Sequence, residues 1–223
     1  AIMNGAKVDG EIPAFNSLNA IDQWILTRLD ETVEEVDQLL EKYEFAKACE
    51  IIYHFAWDDL CDWYLELSKA TFAAGGSAAE SSRRVLGQVL DQLLRLMHPT
   101  MPFITEELWT TLTGGESLVI AQWPTANSSH IDKDSEKIIA SIQEVITEVR
   151  RFRNDQGIKT SAKIPGRFLA PAEFAPYESA MRFVLKLESG DFTPSAQLQV
   201  GSVKAEFDLT GAIDVAAERA VLG

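Results

Sequence analysis

Seven apolar residues, Leu18, Ile21, Ile25, Leu29, Val33, Val36 and Leu40, recur at spacings of three and four. At 3.6 residues per turn that spacing puts them all on one side of a single long helix, which then needs a partner surface along its whole length. Asn16 or Ser17 stands where a cap for it is expected. The same periodicity returns further on. A second helix begins near Phe45 and runs through Ile52 and Phe55 to about Phe72, and a third, over residues 80–97, aligns Val85, Val89, Leu93 and Leu96. Between them AAGGSAAES reads as a flexible break. Pro99 stops the third helix and Pro102 opens a fourth, which runs through Ile104 and Leu108 to its stop at Gly114. A fifth, over residues 132–156, carries Ile139, Ile142, Ile146, Val149 and Phe152 and ends at Gly157. Short connections make consecutive helices antiparallel neighbours. The expected architecture is therefore mainly α, an antiparallel helical bundle over residues 16–157 behind a lead-in at 1–15.

After Gly157 the texture changes. Residues 164–170 and 197–209 alternate as short strands and bracket an amphipathic helix over 173–188, where Phe174, Tyr177, Met181, Val184 and Leu185 share a side. Residues 158–223 thus form a small α+β unit, marginal by itself. A last helix begins near Asp214 and is still running at the end of the sequence, which points to a piece of a longer protein.

Several functional classes are set aside by what is missing. Hydrophobic residues make up 46% of the chain, yet no run reaches the roughly 18 apolar residues of a membrane span, and the first ten residues contain no signal-peptide core. The cytoplasm is the expected compartment. Cys49 and Cys61 on one helix would lie roughly 18 Å apart, so they are expected as reduced, packed thiols. His54, His98 and His130 stand apart from one another, and no metal site is expected. Phosphate-binding glycine loops and nucleophile elbows do not occur. The acidic pairs Asp58-Asp59 and Glu106-Glu107 diverge by about 100° on a helix and cannot face each other as acid and base. No catalytic residue is assigned, and binding is the better class.

Charge then locates the binding chemistry. The chain carries a net charge of −14. Residues 30–62 hold eleven acids against Lys42 and Lys47, whereas residues 144–167 hold six bases against Glu144, Glu148 and Asp155. Within that basic island, Arg150, Arg153 and Asn154 are expected on one exposed face at i, i+3 and i+4, with Val149 and Phe152 turned inward. Arginine and asparagine are donors suited to phosphates and unstacked bases, and Lys159 and Lys163 add cations for phosphate. A solvated helix end would favour the same basic residues through its dipole. The aromatic block WDDLCDWYLELSK at 57–69 reads as core, with Trp57, Leu60, Tyr64 and Leu67 on one buried stripe.

A set of strings in a fixed order carries a resemblance. WIL stands near residue 25, CDWYLE at 61–66 with Lys69, MHPTMPFITEELW at 97–109, AQWP at 121–124 and an R-x-x-R helix at 150–153. Together they resemble the C-terminal, anticodon-binding region of class I aminoacyl-tRNA synthetases of the valine, isoleucine and leucine group. CDWYLEL-x-K and the terminal DLTGAIDVAAERA are similar to the valyl version. The resemblance implies a domain that holds the anticodon loop of tRNA(Val). Catalytic and editing domains upstream in the same chain would ligate valine to tRNA using ATP. The catalytic signatures HIGH and KMSKS do not occur here, so this part is expected to hold neither catalytic site nor cofactor. It implies Arg150, Arg153, Asn154, Lys159 and Lys163 as the tRNA-binding residues of a soluble monomer with no membrane partner. Two alternatives stay open: the corresponding region of an isoleucyl-type synthetase, and a helical protein-interaction module without RNA binding.

Overall fold

The computed structural model describes residues 5–130 and 133–210. The chain divides into two compact units, residues 1–135 and 136–223. The first is a bundle of five α-helices: α1 (Ala20–Glu41), α2 (Phe45–His54), α3 (Leu65–Ala74), α4 (Gly76–Met97) and α5 (Pro102–Thr113). Helix α1 packs against α2 and α4, and α4 also packs against α3 and α5. The stripe that opened the sequence is the bundle's spine, with Ile25, Leu29, Val33 and Val36 fully buried. The cap of α1 is Asn19 rather than Asn16 or Ser17, its side-chain oxygen accepting from the backbone N–H of Ile21 and Asp22. Ser17 instead donates to the Ala14 carbonyl within a short 3₁₀ turn.

Between α2 and α3 the chain keeps winding, but as a π-helix over Phe55–Tyr64. Its buried residues, Phe55, Leu60 and Tyr64, are five and four apart, the period of a wider turn. A π-helix advances by less than the ~100° per residue of an α-helix, so seven residues no longer return the chain to the same side. This corrects the expected aromatic stripe. Tyr64 is completely buried, whereas Trp57 is 56% exposed. Cys61 and Cys49 are free and exposed rather than packed. The expected flexible break shrinks to Gly75, since α3 runs to Ala74 and α4 starts at Gly76.

The lead-in lies against α4. The Lys7 N–H donates to the Arg83 carbonyl, and Lys7 Nζ pairs with Glu80 at 2.7 Å. Gly87 makes this approach possible: a Cβ there would stand 1.9 Å from the Lys7 carbonyl oxygen, closer than any side chain can be accommodated. In the HPTMPF turn, Pro102 opens α5, and the Thr105 hydroxyl bonds His98 Nδ1 at 2.8 Å, tying the end of α4 to the start of α5.

The second unit holds most of α6 (Lys133–Asp155), β1 (Ile164–Leu169), α7 (Glu178–Leu185), β2 (Leu187–Glu188), β3 (Ala196–Val200) and β4 (Val203–Phe207). Its sheet has the order β2-β1-β4-β3, with β1 and β2 parallel and the other pairs antiparallel. The expected strand at 197–209 is a β3–β4 hairpin turning at Gly201. The expected helix at 173–188 opens as 3₁₀ over Ala172–Tyr177, because Pro176 has no N–H to join an α-helical ladder. The sequence reading divides the chain at 157/158, whereas the compact units divide at 135/136. Side chains near the end of α6 account for the difference. Phe152 stacks on Phe207 of β4, and Arg153 bonds the carbonyl that ends α7. The helix expected from Asp214 lies outside the described residues.

Candidate nucleic-acid interface

Helix α6 stops in a Schellman motif. The Ile158 N–H returns to the Arg153 carbonyl and the Gly157 N–H to the Asn154 carbonyl, with Gly157 at φ +65°. Glycine takes this left-handed position without a Cβ clash. Buried Ile158 then anchors the chain, which turns back toward β1.

Arg153 lies at the centre of this turn. It was expected on the exposed face, yet it is only 5% exposed. Its guanidinium donates to the carbonyls of Leu185 (2.7 Å), Ala162 (2.6 Å) and Lys159 (3.3 Å). Burial pulls its pKa below the ordinary arginine value. Three carbonyl dipoles, rather than a carboxylate, satisfy the charge. The sequence does hold the signal for this placement. The buried stripe of α6 passes through Ile142, Ile146 and Val149, and its next position at i+4 is residue 153. Arg153 is therefore the residue that joins the end of α6, the 158–163 loop and the end of α7.

The other expected residues are presented outward. Arg150, Asn154, Lys159 and Lys163 are all exposed. Arg150 and Asn154, four apart, line a groove of about 330 Å³ together with Thr160, Val184 and Leu185, and Arg153 forms part of its wall. Among the described residues, no ion-pair partner competes for Arg150 or Lys159. Lys163 has a loose one in Glu188 at 3.9 Å. One polar contributor, Thr160, escapes sequence reading; it sits on the loop that Arg153 gathers. The Lys186 carbonyl accepts from the Ile164 N–H, while its ammonium lies over the Phe183 ring at 5.1 Å. The groove combines an aliphatic floor of Ile158, Val184 and Leu185 with an amide, a hydroxyl and the Arg150 guanidinium. Such a surface takes an unstacked base against its floor and phosphates at its rim. No group of His, Cys, Asp or Glu among the described residues is arranged to hold a metal ion. No helix among them is long and apolar enough to cross a membrane.

Residues 22–167 match the family model for the anticodon-binding domain of tRNA ligases, and the chain belongs to that family. Its similarity extends to particular relatives. The valine–tRNA ligase of Streptomyces coelicolor is 54% identical over 222 residues, covering 98% of this chain and 25% of that protein. That of Nocardia farcinica is 50% identical over 227 residues, with the same two coverages. That of Mycobacterium leprae is 46% identical over 231 residues, covering 98% of this chain and 26% of the relative. The chain thus spans about a quarter of the length of these curated relatives.

Proposed function

We propose that the chain is the anticodon-binding region of a valine–tRNA ligase and that it grips the anticodon loop of tRNA(Val) at the end of α6. The observation that carries the reading is the groove lined by Arg150, Asn154 and Thr160 inside the family-matched stretch or at its edge. Lys159 and Lys163, both exposed, supply phosphate contacts. Arg153 acts indirectly, by holding the loop that presents Lys159 and Thr160. Valine activation with ATP, ligation and editing belong to other domains of the proposed parent enzyme, to which this region would be joined. No residue of this chain is assigned to ATP. A cytoplasmic, monomeric protein accompanies this reading.

The test is a titration of the 223-residue chain with tRNA(Val) and with an unrelated tRNA, at low and at moderate salt. The expected result is preference for tRNA(Val), with affinity falling as salt rises because phosphate contacts release counterions. The double substitution R150E/K159E is expected to weaken binding by tenfold or more while the melting temperature stays unchanged, since both side chains are exposed. Equal binding of the two tRNAs, or an unaffected double variant, counts against this site.

A further inference from the structure

Helix α2 is apolar on both sides. Ala48 and Ile52 face the bundle, and the outer side carries Phe45 (56% exposed), Cys49 and Tyr53 (58%) at a repeat of four, a row that Trp57 (56%) of the following π-helix extends. A contiguous exposed row of large apolar side chains marks an interaction surface rather than a solvated face. The rings on this outer row are already ordered with one another. Tyr53 and Trp57 lie parallel, 2° apart in plane with centroids at 6.4 Å, and Tyr43 meets Phe45 edge-on at 6.2 Å. Two backbone features keep them outside. The π-helical turn swings Trp57 away from the core, and Tyr43 occupies the left-handed position after α1 at φ +60° while 79% exposed. A bulky residue in that conformation is strained, and glycine is the usual occupant. The neighbouring row decides what the stripe suits. Glu50, His54 and Asp58 run alongside it at the same repeat, His54 is bonded to Asp58 at 2.8 Å, and Lys47 is engaged by Glu44. An RNA strand laid on these rings would bring its phosphates against carboxylates.

We infer that the Phe45–Trp57 stripe is a docking surface for an amphipathic protein helix with an apolar face and arginine or lysine along one edge. The apolar face covers the rings, the basic edge meets Glu50 and Asp58, and cation–π contact with Trp57 and Tyr53 reinforces the choice of sign. The surface shares no residue with the α6 groove and does not depend on RNA binding there.

The experiment uses the full chain carrying C61S, so that Cys49 is the single thiol, and a fluorescent 18-residue helical peptide with a leucine stripe flanked by arginine. A second peptide carries glutamate in place of arginine, and a 20-nucleotide single-stranded RNA serves as the third probe. The arginine peptide is expected to bind at least tenfold more tightly than the glutamate peptide and to slow alkylation of Cys49 at least fivefold. Y53S/W57S is expected to cost tenfold or more in that affinity with no change in melting temperature. Equal affinity for the two peptides overturns the proposal. So does protection of Cys49 by the RNA, or concentration-dependent protection by a second copy of the chain without peptide. Retention of peptide binding in Y53S/W57S overturns it as well.

Discussion

Each unit buries charged side chains, and the most buried of each, Asp22 and Arg153, are satisfied in mirror-image ways. In the bundle, Asp22 is 1% exposed and is surrounded by donors: the Tyr64 hydroxyl at 2.7 Å, the Ser82 hydroxyl at 2.6 Å and the Asn19 amide at 2.5 Å. In the α+β unit, Arg153 is surrounded by acceptors, three backbone carbonyls. Neither charge has an ion-pair partner of opposite sign in these contacts. Neutral dipoles satisfy both, and this fixes geometry more tightly than a single mobile counter-ion would. The difference lies in what each holds. The Asp22 network uses side chains from α1, α4 and the π-helix, and so sets helix against helix. The Arg153 knot uses backbone, and so sets the path of a loop that carries the exposed cations.

The largest break in this comparison is expected from Arg153→Ala. It removes three hydrogen bonds from a charged donor, each worth about 1.5–3 kcal/mol, although water entering the opened site recovers part. A loss of about 3 kcal/mol or more is expected by chemical denaturation, with Arg153→Lys recovering only a fraction because it lacks the planar fork. A fully stable Arg153→Ala that merely loses tRNA would instead make Arg153 a contact residue. Tyr64→Phe tests the other centre. It leaves one Asp22 oxygen without its hydroxyl donor at nearly constant volume, and about 1–3 kcal/mol is expected, read from the same denaturation curves.

The smallest effect is one of pH, and here the two centres separate. Burial raises the Asp22 pKa above its ordinary 3.8, with the three donors opposing it. The folded state therefore binds this proton more tightly than the unfolded chain does. The contribution of Asp22 is fully present below the unfolded pKa and declines as pH rises through the raised folded value. Asp22→Asn removes that slope. Its cost relative to the parent is expected to shrink between about pH 4 and neutrality. Arg153→Ala is expected to show no such trend over that range, since the arginine it removes stays charged throughout it. Melting curves of the three proteins across that range check it; a constant offset for Asp22→Asn would mean that Asp22 titrates like an exposed carboxylate.

Much of this was legible in one dimension. The stripes of α1, α4 and α6 were set out by spacing alone, because long helices repeat their buried face every three or four residues without reference to anything else. Pro102, Gly114 and Gly157 marked real helix ends for the same local reason. Arg150, Asn154, Lys159 and Lys163 were found through charge and spacing as exposed donors. Arg153 shows position prevailing over residue type. Its guanidinium is polar, but its backbone continues the buried side of α6, and only the carbonyls at 159, 162 and 185 make that burial tolerable. An α-helical period does not place Trp57, because its segment is wound as a π-helix.

The sequence by itself determined the helices, most of their ends, the change to strands and the basic run on α6, all set by periodicities or residues within a few positions. Tertiary structure alone decided which groups satisfy the buried charges, which aromatic rings stay outside, and that Val184 and Leu185 of α7 meet Arg150 and Asn154 of α6 in one groove. Those outcomes depend on what each side chain meets from distant parts of the chain, such as Ser82 for Asp22 and Leu185 for Arg153, and no local pattern specifies that.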